Sequence, residues 1–313
     1  MLCENAIATF LYRRMLDASG LRRKVWSWVR SVLIWLLHDP VCVMLAHGRT
    51  LMMPLSHPLP DYLKRYPFYD RLPKRLGAFI RETHGALVCI DVGANIGDTV
   101  AAFYQSGDDL YLAIEPNPKF NTLLRTNWRS APNVSVSSDL CSAESGAASY
   151  AIREKNGSAV FVPGRNGQSL NSRTLDEMAD EFDSFRRVNV LKVDTDGYDL
   201  DVLAGAKKVI ASAHPAILFE CDACGDVRYM ERCLQTLEGF KPDGYNGFLV
   251  YDNYGYLMGR HALDDVRAFR DLLLYHLSGG VPYFDLLVMT DPDLDSFHAS
   301  EKQVFCITPL PHH

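Results

Sequence analysis

The chain has 313 residues, 48% hydrophobic and 22% charged, with 21 Gly and 16 Pro, which excludes a collagen-like, low-complexity or wholly disordered protein. The length suits one large α/β domain with an extension, or two modest domains, and is enough to bury a sizeable core. The net charge of −6 is uneven: residues 1–90 carry 13 Lys/Arg against 6 Asp/Glu and the rest is at −13, so a basic head points to an anionic surface such as a membrane, and the acidic body argues against nucleic acid as the main partner.

No apolar run reaches the roughly 18–20 residues that span a bilayer. The nearest is 25–37, interrupted by Arg30 and closed by His38-Asp39-Pro40. Its apolar residues, Val25, Trp28, Val29, Val32, Leu33, Leu36 and Leu37, have helical spacing, and Arg22, Arg23 and Lys24 precede them. Residues 22–37 therefore suit a helix lying peripherally in a membrane interface, at the inner face of a membrane. The alternative is a helix docked on the domain or on a second copy. A cleaved signal peptide fits poorly, because no Ala-x-Ala-like residues follow the run. Pro54, Pro58, Pro60, Pro67 and Pro73 mark a linker or strap with short turns, in which Tyr62, Tyr66, Phe68 and Tyr69 either pack on the body or line a substrate entrance.

From residue 87 the pattern becomes regular. Leu87-Val88-Cys89-Ile90 is a strand ending in Asp91, followed by a glycine loop and a helix from Thr99. Residues 110–114 form a second strand ending in Glu115, and Phe120, Leu123, Leu124 and Trp128 mark the next helix. Residues 134–136 form a third strand, ending near Asp139. Residues 155–173, rich in Gly, Asn and Ser, read as a long loop with a short strand at 159–162. Thr174-x-x-Glu177 is a capping box opening a helix. Residues 188–193 are a strand ending in Asp194, 199–211 a helix, and 216–219 a strand ending in Glu220. Strands separated by helices imply a mainly parallel, doubly wound sheet, whose ligands bind outside the carboxyl ends of the strands. Four successive strands end there in an acidic residue.

In Asp91-Val92-Gly93-Ala94-Asn95-Ile96-Gly97-Asp98-Thr99, Gly93 permits a tight turn and Gly97 opens the next helix with little bulk. Asn95 takes the middle position of a dinucleotide fingerprint, and no Gly-Lys-Ser/Thr is present, so pyrophosphate is a poor fit. Asp91 directly before the loop suits a cationic ligand such as S-adenosylmethionine, and Glu115, 24 residues on, can accept both ribose hydroxyls.

The run 88–99, Ala113-Ile114-Glu115-Pro116-Asn117-Pro118 and Leu191-Lys192-Val193-Asp194-Thr195-Asp196-Gly197-Tyr198-Asp199 together resemble the motifs of the FkbM-type S-adenosylmethionine-dependent methyltransferases, with Thr174-Leu175-Asp176 and Ile217-Leu218-Phe219-Glu220 extending the match over about 85–255. Asp196 stands where the family usually has Glu. The resemblance implies a class I, Rossmann-like methyltransferase fold, a mostly parallel seven-stranded sheet with one antiparallel edge strand, which 247–257 and 284–289 would supply. It also implies methyl transfer to a hydroxyl of a glycan or secondary metabolite. On this reading 1–75 is a basic, helical N-terminal extension, 76–292 the methyltransferase domain and 293–313 a tail. S-adenosyl-L-methionine would be held by Asp91, Gly93, Asn95, Gly97, Thr99, Glu115 and Asp139.

Asp194 is the first candidate for the base or substrate positioner and Asp196 the second, Asp194 facing the cofactor's methyl and Asp196 the acceptor hydroxyl or a helix N-terminus. Each has a plainer reading, ammonium binding for Asp194 and turn chemistry for Asp196. Glu220 and Asp222 with Asp194 and Asp196 form a weaker case for a divalent cation. Histidines 47, 57, 84 and 214 are weak alternative bases. Tyr245, Phe248, Tyr251, Tyr254 and Tyr256, near Asn246, Asp252 and Asn253, suit either sugar recognition or packing. The eight cysteines (3, 42, 89, 141, 221, 224, 233 and 306) read as reduced thiols of a cytoplasmic protein, and the lone Cys221-x-x-Cys224 lacks the second pair of a zinc ribbon. Other readings of the function are methylation of a nitrogen or carboxylate, and a non-catalytic module with a cofactor fold in a membrane-associated assembly.

Overall fold

Apolar residues at three- and four-residue spacing open the chain as two helices, α1 (Ala6–Asp17) and α2 (Gly20–Leu36). The structure, a computed structural model, describes residues 4–105, 107–155, 158–163, 168–222 and 225–307. Asn5 caps α1 by accepting the Ala8 amide at 3.0 Å, and α1 buries Ala8, Leu11, Tyr12 and Met15. A hairpin follows, β1 (Val41–Ala46) and β2 (Arg49–Pro54), turning through His47 and Gly48, both at positive φ. The proline-rich stretch is partly helical: α3 (Leu59–Arg65) and α4 (Leu72–His84) each carry a proline in the first turn, where its missing N–H costs nothing.

Strand and helix then alternate as β3 (Val88–Val92), α5 (Asp98–Phe103), β4 (Leu110–Ile114), α6 (Pro118–Trp128) and β5 (Val134–Ser137). Next come β6 (Leu140–Cys141), β7 (Gly146–Lys155), β8 (Ser158–Pro163) and β9 (Gln168–Arg173), a separate four-stranded sheet where a long loop was expected. β7 and β8 pair antiparallel up to Lys155 opposite Ser158. The Thr174 hydroxyl accepts the Glu177 amide at 3.2 Å and opens α7 (Leu175–Glu181). β10 (Val190–Val193) precedes two short helices, α8 (Asp199–Ala204) and α9 (Lys207–Ala213), in place of the single helix expected. The chain ends in β11 (Ala216–Cys221), α10 (Val227–Gly239), β12 (Tyr245–Asp252), β13 (Leu257–Ala262), α11 (Arg267–Leu277), β14 (Phe284–Thr290) and α12 (Asp293–Ile307).

The central sheet has the order β13-β12-β14-β11-β10-β3-β4-β5. β3, β4, β5, β10 and β11 are parallel, and β14 runs antiparallel to both its neighbours. This is the doubly wound, Rossmann-like α/β class expected, with two corrections. The sheet has eight strands rather than seven, and the antiparallel strand β14 lies inside it. The edge is β13, which β12 adds by folding back as a hairpin, so the edge pair is formed by local chain reversal rather than by a crossover.

Strand alternation divides the core in two. Ile90, Val92, Leu191 and Val193 face the α7–α11 side, while Cys89 and Val190 face a layer built from α4, α5, α6 and the N-terminal extension. The extension thus shares a core with one face of the sheet. By the same alternation Asp91 and Lys192 point to that second face, and the register sets them directly opposite each other on β3 and β10.

The last helix is tied down. Arg75 of α4 donates to both carboxylate oxygens of Glu301 at 2.6 and 2.8 Å, and the Tyr251 hydroxyl donates to the same group at 2.9 Å. Glu301 is fully buried. Arg75→Ala strands that charge and should cost about 2–3 kcal/mol of stability, read as a lowered urea midpoint. An unchanged midpoint would show that the Arg75–Glu301 pair contributes nothing to stability.

Candidate active site

A cleft of about 280 Å³ opens at the carboxyl ends of β3, β4, β10 and β11. Of the expected cofactor residues, Gly93, Asn95, Thr99 and Glu115 line it, and so do both candidate catalytic carboxylates, Asp194 and Asp196. Asp91, Gly97 and Asp139 do not.

Gly93, at φ +80°, turns the chain immediately after β3, and its amide and that of Ala94 donate to Ile114 O at 3.0 Å. A Cβ on Gly93 would lie 1.8 Å from the Asp194 carbonyl, so no other residue fits. Gly97 serves packing instead: a Cβ there would meet Trp128 Nε1 at 2.1 Å, and that indole donates to Gly97 O at 3.2 Å. Asp139 sits outside the cleft, bonded to the Ser137 hydroxyl at 2.8 Å and 3.4 Å from Arg173.

Glu115 ends β4 and accepts the amides of Asn95 at 2.9 Å and Asn117 at 2.7 Å, one on each oxygen. Two amides leave lone pairs for two further donors, which is what a vicinal diol offers. Burial lifts its pKa to about 7, against the pull of the Asn117 and Asn95 amides. A raised carboxyl pKa gives stability that is complete below the unfolded value, near 4.5, and lost as pH rises through about 7. Glu115→Gln removes that loss. Relative to the parent protein, the variant should gain about 2–3 kcal/mol between pH 4.5 and pH 8 in urea unfolding, and a pH-independent difference would contradict the assignment.

Lys192, named in the motif but given no role there, stands at the centre of the charged cluster. It is almost fully buried, and its ammonium lies 3.2 Å from Asp91, 3.3 Å from Asp194 and 3.4 Å from the Gly93 carbonyl. Burial pulls its pKa down, but the charges of Asp194, Asp91 and Asp98 outweigh burial and hold it well above the usual lysine value. Asp91 is only 1% exposed, so it meets the cleft through Lys192 rather than directly. The Asp91 carboxylate is buried with the Lys192 ammonium, at 3.2 Å, as its charged partner. The signal was a lysine at an inward position of an apolar strand.

Asp194 follows β10 directly, with its amide held by the Val92 carbonyl at 3.0 Å and its side chain about half exposed. Asp196 and Gly197 take positive φ, and buried Asp199 holds their loop by accepting the amides of Thr195 and Gly197 at 3.1 and 3.2 Å. Burial, then the charge of Asp194, lifts the Asp199 carboxyl to about 7.

A second cavity of about 100 Å³ adjoins the cleft and shares with it Tyr69, Thr99, Lys192, Asp194, Glu220 and Tyr283. It adds Asp70, Asn253 and Asp285. Burial pushes the carboxyls of Glu220 and Asp285 well above the usual range, with the negative charge of Asp194 adding to both. Asp194 therefore lines both spaces and Asp196 only the first.

Of the four histidines considered, His57 alone lines the cleft, and burial, with the Arg30 charge, lowers it to about 4. His47 pairs with Asp70 and His84 with Asp293, each at 2.7 Å, and His214 closes α9 at φ +49°. Asp222 lies 3.4 Å from His276, and no three His, Cys, Asp or Glu side chains among the described residues come together as a metal site. Tyr245, Phe248 and Tyr251 are fully buried packing, Tyr254 stacks on Tyr66 at 4.1 Å, and Tyr256 meets Phe68 at 4.8 Å. Of the polar residues named with them, Asn253 lines the second cavity. Cys42, Cys89, Cys141, Cys221 and Cys233 are buried free thiols, and Cys3 and Cys224 lie outside the described residues.

The model of the "Methyltransferase FkbM domain" family matches residues 91–255. Among solved structures, methyltransferase FkbM from Methylobacillus flagellatus KT is 14% identical with a TM-score of 0.35, covering 67% of this chain and 47% of its own length. The chain thus spans about half of that protein. An O-methyltransferase from Bacillus cereus in complex with SAH is 10% identical, TM-score 0.40, covering 70% of this chain and 80% of its own. A SAM-dependent O-methyltransferase from Thermotoga maritima is 12% identical, TM-score 0.33, with coverage of 69% and 65%. No curated protein matches the sequence.

Proposed function

Because the chain belongs to the FkbM methyltransferase family, we propose that it is an S-adenosylmethionine-dependent methyltransferase that methylates a hydroxyl oxygen of a polyhydroxylated acceptor, a glycan or secondary metabolite. The observation that carries this reading is the second cavity, joined to the cofactor cleft at Asp194 and lined by hydrogen-bonding groups on several sides.

The cleft fits the cofactor by its chemistry. Glu115 is poised for the ribose hydroxyls, Gly93 gives a close backbone approach, and Asp98, Asp194, Asp196 and Glu220 surround a space suited to a cation. When bound, the cofactor supplies an electrophilic methyl on a sulfonium. Lys192 holds Asp194 at the junction of the two spaces, Asp194 accepts the hydrogen bond of the acceptor hydroxyl, and it takes the proton as the new bond forms. Glu220 and Asp285, whose carboxyls burial pushes well above the usual range, and Asn253 offer hydrogen-bonding groups to neighbouring oxygens. His57, Tyr69 and Tyr283 wall the space against water. The buried free thiols support a cytoplasmic setting for the reaction.

The test supplies S-adenosylmethionine with an isotope-labelled methyl group and fractionated polyols and glycans. Label in an alkali-stable ether supports the proposal. Label in an alkali-labile ester or in a methylamine overturns it, and points to the carboxylate or nitrogen reading.

A further inference from the structure

Helix α2 buries none of its residues, yet it is rich in large apolar side chains. Leu21, Val25, Trp28, Val32 and Trp35 follow one another at four- and three-residue steps, so they form one stripe along the helix. Their exposures are 78, 53, 68, 39 and 79%. Scattered apolar residues need no explanation, but a continuous row with two tryptophans does. The other side of the helix is attached to the body: Trp26, Leu33 and Ile34 pack on the core, and Arg30 donates to Leu55 O at 2.8 Å while its guanidinium lies 4.4 Å from the Tyr12 ring. The stripe is therefore held outward by a helix that is itself docked. No helix among the described residues is long and apolar enough to cross a membrane.

Charge decides what covers the stripe. No Asp or Glu occurs between Ser19 and His38, and Arg22 and Lys24 are exposed beside Leu21 and Val25. The nearby acids are already engaged, Asp17 by Lys64 at 3.3 Å and Asp61 by Arg23 and Arg65. An identical copy meeting this face brings the same acid-free, basic helix, whereas an anionic leaflet supplies both an apolar layer and the missing negative charge. Tryptophan is the side chain that settles at the headgroup level.

We propose that α2 docks the protein on an anionic lipid surface, with the Leu21–Trp35 stripe in the headgroup–acyl boundary and Arg22 and Lys24 on lipid phosphates. The docked helix reaches the cleft wall through one residue: Arg30 of α2 and the Tyr12 hydroxyl of α1 both donate to the His57 carbonyl, at 3.3 and 2.5 Å, and the His57 side chain lines the cleft.

The full chain is mixed with vesicles of phosphatidylcholine and phosphatidylglycerol, or of phosphatidylcholine alone, and floated on a density gradient. The protein should float with the mixed vesicles, be released by high salt, and stay down with phosphatidylcholine alone. Trp28→Ser with Trp35→Ser should lower partitioning about tenfold or more with the circular dichroism and melting curve unchanged, since both side chains face solvent. Arg22→Glu with Lys24→Glu should do the same. Failure of the parent protein to float, or equal flotation of the Trp variant, overturns the proposal. So does a parent that sediments as a dimer, with no lipid binding, and a Trp variant that sediments as a monomer; that result assigns the stripe to a second copy.

Discussion

Asp194→Asn should lower turnover by about 10²–10⁴ while cofactor affinity, measured by calorimetry, stays within a few-fold. The amide keeps the shape of the side chain, so the loss reports the missing charge. Asp194 is selected because it alone of the two candidate carboxylates lines both the cofactor cleft and the adjoining cavity. Asp196→Asn should cost less than tenfold in turnover, because Asp196 touches only the first space. If Asp194→Asn instead abolishes cofactor binding, Asp194 is a cofactor ligand and the base lies elsewhere. Full activity in both variants would mean that the acceptor is deprotonated without either group.

Lys192→Met should destabilise the fold by about 3–5 kcal/mol at neutral pH, the cost of leaving a buried charge without its partner. The stranded group is Asp91, 1% exposed and raised by burial even with the lysine present. Its sign with pH follows from that direction. Without Lys192 the folded-state pKa of Asp91 rises further, so the variant is most stable where Asp91 is protonated and weakens as pH rises. Urea unfolding should show the gap to the parent protein narrowing toward acid. Asp91→Asn combined with Lys192→Met should recover most of the loss, as a double-mutant cycle for a coupled pair requires. A double variant no better than Lys192→Met alone would show that the lysine acts through Asp194 and the Gly93 carbonyl rather than through Asp91. Because Lys192 also holds Asp194, the single variant should lose activity under conditions where it remains folded.

Much of this molecule is legible in its sequence because local backbone demands leave residue signatures. Apolar runs and helical spacing separate the strands from the helices, and Gly93 marks a turn that admits no side chain. Glu115 is found by its distance from the glycine loop, since a strand–helix–strand unit has a nearly constant length. The parallel sheet and the family follow from these alone. What lies outside them depends on register and on crossing connections, which no single segment encodes. Lys192 looks like an interruption in an apolar strand until the β3–β10 pairing sets it against Asp91. Gly97 and Gly93 look alike in sequence, yet one faces Trp128 and the other the active-site loop. Asp91 and Asp139 both stand at strand ends in the sequence, yet packing buries the first and sets the second against Ser137 and Arg173. His57 and Tyr69 from the proline-rich strap and Tyr283 beside β14 are up to 226 residues apart in the chain and meet only because the extension and the antiparallel strand close over the same strand ends. The apolar spacing of α2 is plain in the sequence, but which side of it is docked and which is bare was decided by tertiary packing, since apolar residues occur on both sides and only contact with the core separates Trp26, Leu33 and Ile34 from Leu21, Trp28 and Trp35.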